Sequence, residues 1–435
     1  MRRIALVSEH ASPLAVPGSV DSGGQNVYVA QVARHLAQRG YLVDVYTRCD
    51  NPSLPQVVNW ELDVRVIHVP AGPAQPVPKE AMLPYMDAFA RFMIGFARAN
   101  DLRYDLLHAN FFMSGMVARQ VRQALGTPFV ITFHALGRVR RLHQGKADGF
   151  PAEREAIEES LMRDADRIIA ECPQDMDDMS RHYGAPVSRM DIVPCGFDPE
   201  EFWPVHGLAR NKLGLQPQEF VVLQLGRMVP RKGVDTAIEA IAALRDRHGV
   251  TARLMVVGSD CQDHGRGGHG GPEMARLKAL AEQRDLSGQV FFAGQRPRSE
   301  LRDYYSAADV FVTTPWYEPF GITPLEAMAC SVPVIGSAVG GIKHTVVDGR
   351  TGFLVPPNDP AAVADRLAAL HAQPGEARRM GREGLRRVHG CYTWRHVAGR
   401  IADVYEAVLG AAPTSLPQSL VASGGSNHTE LEWTN

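Results

Sequence analysis

The stretch DVFVTTPWYEPFGITPLE, residues 309–326, decides the fold. An apolar run ends in Thr-Pro, a short loop follows, and Gly321-Ile322-Thr323-Pro324 opens an Ala-rich segment that reads as a helix. Strand, loop and helix in that order are the repeating unit of a parallel α/β sheet. Gly321 permits close backbone approach to a ligand. Thr323 and Pro324 suit the first turn of a helix, whose unpaired N–H groups attract an anion. Glu318 sits on the loop, where it can accept hydrogen bonds from sugar hydroxyls. Glu326 lies about one turn into the helix and can accept from ribose hydroxyls. Alone, Glu326 would be no more than a favourable charge near a helix start. The intervening PFGITPL tips the reading toward a ligand site.

Outward from this segment the alternation continues. Strands are predicted at 220–225, 253–257, 289–293 and 332–335. An earlier series lies at 4–8, 42–47, 63–69, 105–109, 128–133, 167–171 and 190–194, with helical stretches such as 26–39 and 81–99 between. A Pro- and Gly-containing linker, CGFDPEEFWPV at 195–205, separates the two series. The expected fold class is α/β, with two Rossmann-like domains facing a cleft: 1-203, then 204-392. The spacing of 393-411 predicts a last helix that packs back on the first domain. The polar stretch 412-435, broken by Pro and Gly, is expected to be disordered.

Composition narrows the function. A formal net charge of -2 leaves no electrostatic footprint for nucleic acid. The apolar run after Arg2-Arg3 is broken by Glu9 and His10, too soon for a signal peptide. No run approaches the roughly 18 apolar residues that span a bilayer. Six cysteines lie far apart with no CxxC pair, so reduced thiols in a cytoplasmic chain are expected. The Asn427-His428-Thr429 sequon is then a chance match.

Three further segments carry chemistry. Gly226-Arg227-Met228-Val229-Pro230-Arg231-Lys232-Gly233 follows the strand at 220–225. A basic turn at a strand's C-terminal end can neutralise a diphosphate, whereas elsewhere it would be a solvated turn. It lacks the GxxxxGK[ST] pattern of an ATPase. In Asp21-Ser22-Gly23-Gly24-Gln25-Asn26 the glycines let backbone N–H groups reach a phosphate or sugar, although a Gly pair also fits a plain turn. His134, in Thr132-Phe133-His134-Ala135-Leu136-Gly137-Arg138, stands at a strand end as a candidate sugar contact; a lone histidine there is otherwise structural.

Together these segments resemble the family 4 retaining glycosyltransferases of the GT-B fold, over nearly the whole chain to about residue 410. The E-x7-E element and the GR…KG element are specific to that group. HASPLAVPGSVDSGGQNVYV (10–29), HANFFMSG (108–115) and TFHALG (132–137) are similar to the subgroup of sucrose synthase, sucrose-phosphate synthase and D-inositol 3-phosphate glycosyltransferase. The resemblance implies a nucleotide-sugar donor, UDP-linked, and a small polyol or sugar acceptor, phosphorylated or not. It implies that Gly23, Gly24, Arg227 and Lys232 meet the diphosphate and that Glu326 holds the ribose. Glu318 and the following Pro319-Phe320-Gly321 backbone would hold the transferred sugar, Ile322 and Thr323 would also bind the donor, and His134 would stand beside the anomeric centre. Catalytic roles then fall to His134, Glu318, Arg227 and Lys232. Acceptor-side candidates are Asn26, Lys79, Asn110, Arg138 and Arg154. Lys79 and Arg154 read equally well as acceptor-phosphate contacts and as surface charges. Where the inositol-phosphate enzymes carry His-Tyr-Trp-Leu-Ser-Gly, this chain has Asn110-Phe111-Phe112-Met113-Ser114-Gly115, and a Phe cannot give a phosphate the hydrogen bond a Tyr can. HALGRVRR (134–141) is instead similar to the HSLGR stretch of sucrose-phosphate synthases.

No cofactor and no essential metal are expected. Asp175-Met176-Asp177-Asp178 imitates a DxD metal motif but falls at a predicted helix start, where acids suit the dipole. Cys261, His264 and His269 lie in a Gly-rich loop without partner cysteines. A nucleotide-sugar 2-epimerase would share the donor cleft, and a non-catalytic sugar-nucleotide binder would share the fold; the E-x7-E spacing and the intact Glu318, Glu326, Arg227 and Lys232 set argue for transfer. A homodimer is one assembly open to the chain.

Overall fold

The computed structural model describes residues 1–15, 23–145, 148–259 and 271–410. Asp21, Ser22, the histidines and cysteine of the 261–269 loop, and the 412-435 tail lie outside the described residues.

The first sheet has eight strands: β1 Arg3–Val7, β2 Leu42–Arg48, β3 Val57–Glu61, β4 Val64–Val69, β5 Leu106–Asn110, β6 Phe129–Thr132, β7 Arg167–Ala170 and β8 Met190–Ile192. Their order is β3-β4-β2-β1-β5-β6-β7-β8. All neighbours are parallel except β3, which turns back antiparallel on β4. The second sheet holds β9 Val221–Leu225, β10 Arg253–Val257, β11 Val290–Gly294, β12 Val310–Thr313, β13 Val334–Ser337 and β14 Gly352–Val355, in the order β11-β10-β9-β12-β13-β14. Every pair in it is parallel.

Parallel strands buried on both faces explain why the sequence reads as unbroken apolar runs. Ile4, Ala5, Leu6 and Val7 of β1 are all fully buried. The covering helices show the complementary period. Helix Met86–Ala99 buries Met86, Phe89, Ala90, Met93 and Ala97, one stripe at three- and four-residue spacing. The segment predicted as helix from 81 begins instead with two short 3-10 turns, Lys79–Ala81 and Leu83–Tyr85.

In each sheet the strand order reverses at one place: between β1 and β5 in the first, between β9 and β12 in the second. At such a switch point adjacent loops leave in opposite directions and a crevice opens beyond the strand ends. The two crevices face each other. The chain passes between the sheets at 193–205 and again at 391–394, and the passages pair: Phe197 N–H donates to Tyr392 O (2.9 Å) and Trp394 N–H to Phe197 O (3.2 Å). Phe197 and Phe202 are fully buried, so this linker is packed. The final helix, Trp394–Leu409, docks on the first domain. There the Tyr405 hydroxyl meets His108 Nδ1 at 2.7 Å and the Tyr41 hydroxyl donates to Glu406 at 2.9 Å.

Candidate active site

Loops after β9, β10 and β12 form the wall of the cleft on the second domain. Gly226 and Arg227 follow β9 directly, Gly258 follows β10, and residues 314–321 link β12 to helix Ile322–Ala329. Arg227 lines the cleft and has a partner of its own. Lys232 closes the 3-10 turn Pro230–Lys232, and Gly233 behind it has φ 64°. A Cβ on Gly233 would lie 2.0 Å from Thr314 O, so only glycine brings the basic turn against the end of β12. The Thr314 hydroxyl ties the same two segments by donating to Gly233 O at 2.7 Å.

That closure puts Lys232 Nζ in contact with Glu318 Oε2, and Arg231 Nη1 reaches the same oxygen at 3.5 Å. Burial alone would raise the Glu318 carboxyl, but the charges of Lys232 and then Arg231 outweigh it and hold it below the ordinary glutamate value. Burial lowers Lys232, only partly offset by Glu318. Glu318 is therefore a carboxylate at neutral pH.

Glu326 is 3% exposed and doubly held: Arg298 Nη1 donates to Oε1 at 3.0 Å and the Tyr305 hydroxyl to Oε2 at 2.8 Å. Arg298 also donates to Glu201 at 2.6 Å and lies over the Phe202 ring at 5.0 Å. Burial would lower Arg298, but Glu326 and Glu201 more than compensate and keep it above its ordinary value. Glu326, Arg298, Gly258, Ile322 and Thr323 share a lobe of the cleft with Gly23 and Gly24. Glu318, Lys232, Phe320 and Gly321 share the adjoining lobe with His134, Asn26 and Lys79.

From the first domain, helix Gly24–Ala37 points its N-terminus at the cleft. Asn26 is 5% exposed and fastens this turn, accepting from Gly23 N–H (2.9 Å) and donating to Ser12 O (3.0 Å). His134, after β6, has φ 59°, a strained conformation for a non-glycine residue. Its Nδ1 faces Glu171 Oε1 at 2.9 Å, its Nε2 faces Asn110 Oδ1 at 3.1 Å, and the Tyr28 ring packs edge-on at 4.7 Å.

The remaining acceptor-side candidates do not reach the cleft. Asn110 is 1% exposed and serves His134. Arg138 is held by Glu155 at 3.3 Å and Glu159 at 2.9 Å and lies over Tyr183. Arg154 is neither a surface charge nor a cleft residue: its side chain is 1% exposed and paired to Glu158 at 2.7 Å. Asp175 has a local task, accepting from Glu171 N–H at 2.9 Å while its own N–H donates to the Cys172 cap of helix Pro173–Tyr183. Asp177 pairs with Arg181.

Several residues of the site escape sequence reasoning. Arg298 opens helix Arg298–Ala307, an unfavourable place for a cation, and that mismatch was the signal to follow. Glu171 and His10 are polar residues just past buried strands. His10 Nδ1 lies 2.7 Å from Glu9, which is fully buried. Phe111, at φ 92°, precedes helix Phe112–Leu125 and lines the cleft; nothing in the sequence announces its strain.

Residues 207–387 match the family described as glycosyl transferases group 1, and residues 23–196 match a glycosyl transferase 4-like domain. The D-inositol 3-phosphate glycosyltransferase of Corynebacterium glutamicum is 34% identical, over 94% of this chain and 97% of its own length. The enzyme of the same name from Acidothermus cellulolyticus is 35% identical over 98% and 94%. Among solved structures, sucrose-phosphate synthase from Thermosynechococcus elongatus superposes with a TM-score of 0.86 at 34% identity, covering 95% of this chain and all of that one. Anabaena HepE, crystallised with UDP-glucose, shares the fold at 18% identity and a TM-score of 0.70 over 94% of this chain. Relatives matched over nearly their whole length, on a cleft built between two switch points, settle the family: the chain belongs to the group 1 glycosyltransferases and is a hexosyltransferase of the GT-B fold.

Proposed function

We propose that the chain moves a hexosyl group from a UDP-sugar to a hydroxyl of a small polyol or sugar, retains the anomeric configuration, and needs no metal ion. The observation that carries this reading is the split between two carboxylates of one loop-helix segment. Glu326 sits with Arg298 and Tyr305 in one lobe, and Glu318 sits with Lys232 and Arg231 in the next. A nucleotide sugar fits such a pair of lobes with its ribose at Glu326 and its hexose at Glu318. Its diphosphate then lies between Arg227, Lys232 and the N-terminus of helix Ile322–Ala329.

In the reaction the bond from the anomeric carbon to the phosphate oxygen breaks and a bond to the acceptor oxygen forms on the same face. Negative charge grows on the diphosphate, where fixed cations and helix N–H groups stabilise it without reorganisation. Positive charge grows on the sugar, beside the Glu318 carboxylate. Both ring nitrogens of His134 already face oxygen acceptors, so this histidine orients the site and the acceptor proton passes to the departing phosphate oxygen.

The test is incubation with UDP-glucose and a panel of polyols and sugars, with and without EDTA. Product mass identifies transfer and the anomeric proton coupling reports stereochemistry. An inverted product, or activity that EDTA abolishes and manganese restores, defeats the corresponding part of the proposal. Failure to bind UDP or UDP-glucose defeats all of it.

A further inference from the structure

The acceptor half of the cleft is walled by aromatic rings, and the Arg154 guanidinium lies behind them. Phe111 and Phe150 line the cleft; Arg154 does not. The Arg154 guanidinium lies against both rings, 4.9 Å from the centroid of Phe111 and 4.4 Å from that of Phe150. Its Nε donates to Glu158 at 2.7 Å and its Nη2 to Ala135 O at 2.5 Å. Glu158 is itself fully buried and fixed by Gly137 N–H at 2.9 Å and by the Tyr183 hydroxyl. Drawing Arg154 out would strand that carboxylate without its counter-charge, a strongly destabilising change for buried pairs.

Other cations on this wall are engaged as well. Arg140 is held by Asp148 at 3.0 Å and rests on Phe150 at 5.1 Å. Arg231 and Lys232 are paired with Glu318, and Lys79 has a partner too. Two buried carboxylates, Glu171 and Glu318, line the same lobe. A phosphate monoester carries about −1.5 to −2 charge at neutral pH. Here it would meet cations that already have partners, two carboxylates of its own sign, and phenyl faces whose quadrupole is negative.

We propose that the acceptor is uncharged: a neutral sugar or polyol that lays a C–H face on Phe111 and Phe150 and turns its hydroxyls toward His10. The Nδ1 atom of His10 is tied to Glu9 and its ring packs edge-on against Phe111 at 5.1 Å, which leaves Nε2 as the ring atom to meet a hydroxyl. The strain at Phe111 fits this role, since a non-glycine residue persists at φ 92° only where its surroundings hold it. The inference rests on the reading of the cleft as a UDP-sugar transferase site. It separates this chain from relatives named for a phosphorylated acceptor.

The test uses the full chain with UDP-glucose and matched acceptor pairs: inositol and inositol 3-phosphate, fructose and fructose 6-phosphate, glucose and glucose 6-phosphate. UDP-glucose binding is measured separately by calorimetry. The expected result is transfer to a neutral acceptor, with kcat/KM about 10-fold or more above that of its phosphate ester, the cost of burying an unmatched charged group. A phosphate ester used better than its neutral partner overturns the inference. So does bound UDP-glucose with no transfer to any neutral acceptor. Absence of UDP-glucose binding instead overturns the donor reading beneath it.

Discussion

Glu318→Gln should tighten the grip on UDP while slowing transfer. Glu318 neutralises the cation expected to hold the diphosphate: Lys232 is in contact with it and Arg231 lies 3.5 Å away. Donor or product must compete with this carboxylate for Lys232. A charged hydrogen bond is worth about 1.5–3 kcal/mol net. With Glu318 12% exposed and Lys232 19% exposed, the lower end applies, and about 1.4 kcal/mol is a tenfold change in affinity. The variant keeps the side chain's size and loses its charge, so UDP should bind about tenfold tighter by calorimetry. Transfer should move the other way. Without the carboxylate beside the centre where positive charge develops, kcat falls, by about 100-fold if Glu318 contributes like one preorganised electrostatic group. Steady-state kinetics with varied UDP-glucose separates the two effects. A folded variant that binds UDP no tighter than the parent would show that Glu318 does not compete for Lys232. Unchanged kcat would make Glu318 a binding residue only.

Other substitutions should fail differently. Lys232→Ala should lower kcat by about 100-fold or more, with a thermal shift showing that the fold survives; unchanged turnover would return Lys232 to a structural role. Glu326→Gln should mainly raise the donor KM, because ribose contacts are similar in ground and transition states, and a pure kcat effect would contradict the ribose assignment. Acid should loosen the docking of the last helix through His108, which burial, helped by the charge of His134, pushes down to about 3. The ordinary histidine value is near 6.5, so between the two values only the unfolded chain takes up the proton. That stability is complete above pH 6.5 and is lost as pH falls toward 3, about 2 kcal/mol of it by pH 5. Urea unfolding at pH 7 and pH 5 should show a larger loss in the parent than in His108→Gln, which keeps the part due to His344 and His396, both also pushed down by burial; an equal loss in both would clear His108.

Among the described residues, twelve of the fourteen strands are legible as apolar runs ended by polar or turn-forming residues. Two escape. Val57–Glu61 is a half-exposed edge strand whose Asn59 is exposed, so no continuous run marks it. Gly352–Val355 is four residues long and opens on glycine, which reads as the end of a turn. The carboxylate pair was legible because Glu318 and Glu326 lie in one short segment, where loop and helix grammar fix their relation. Arg298, Glu171 and His10 come from three distant segments and reach the cleft only through strand order, which local spacing does not encode. Arg154 was misjudged for the opposite reason. A charged residue in the helix Glu153–Asp164 reads as an acceptor-phosphate contact or a surface charge, and only the packed fold reveals the aromatic rings that cover it.

The paired passages at Phe197 and Trp394 constrain how this enzyme can move. Among the described residues the chain crosses between the sheets twice, and both crossings lie on one line, joined by the hydrogen bonds of Phe197 with Tyr392 and Trp394. They act as two pins of a single hinge. Rotation about that line leaves both pins seated, whereas sliding one domain past the other would shear them. Opening would then part the lips of the cleft, where Lys343 Nζ donates to Gln174 Oε1 at 2.6 Å and His143 stacks on Tyr317 at 5.1 Å. Those two contacts join the domains and would be the ones to break as the lips part.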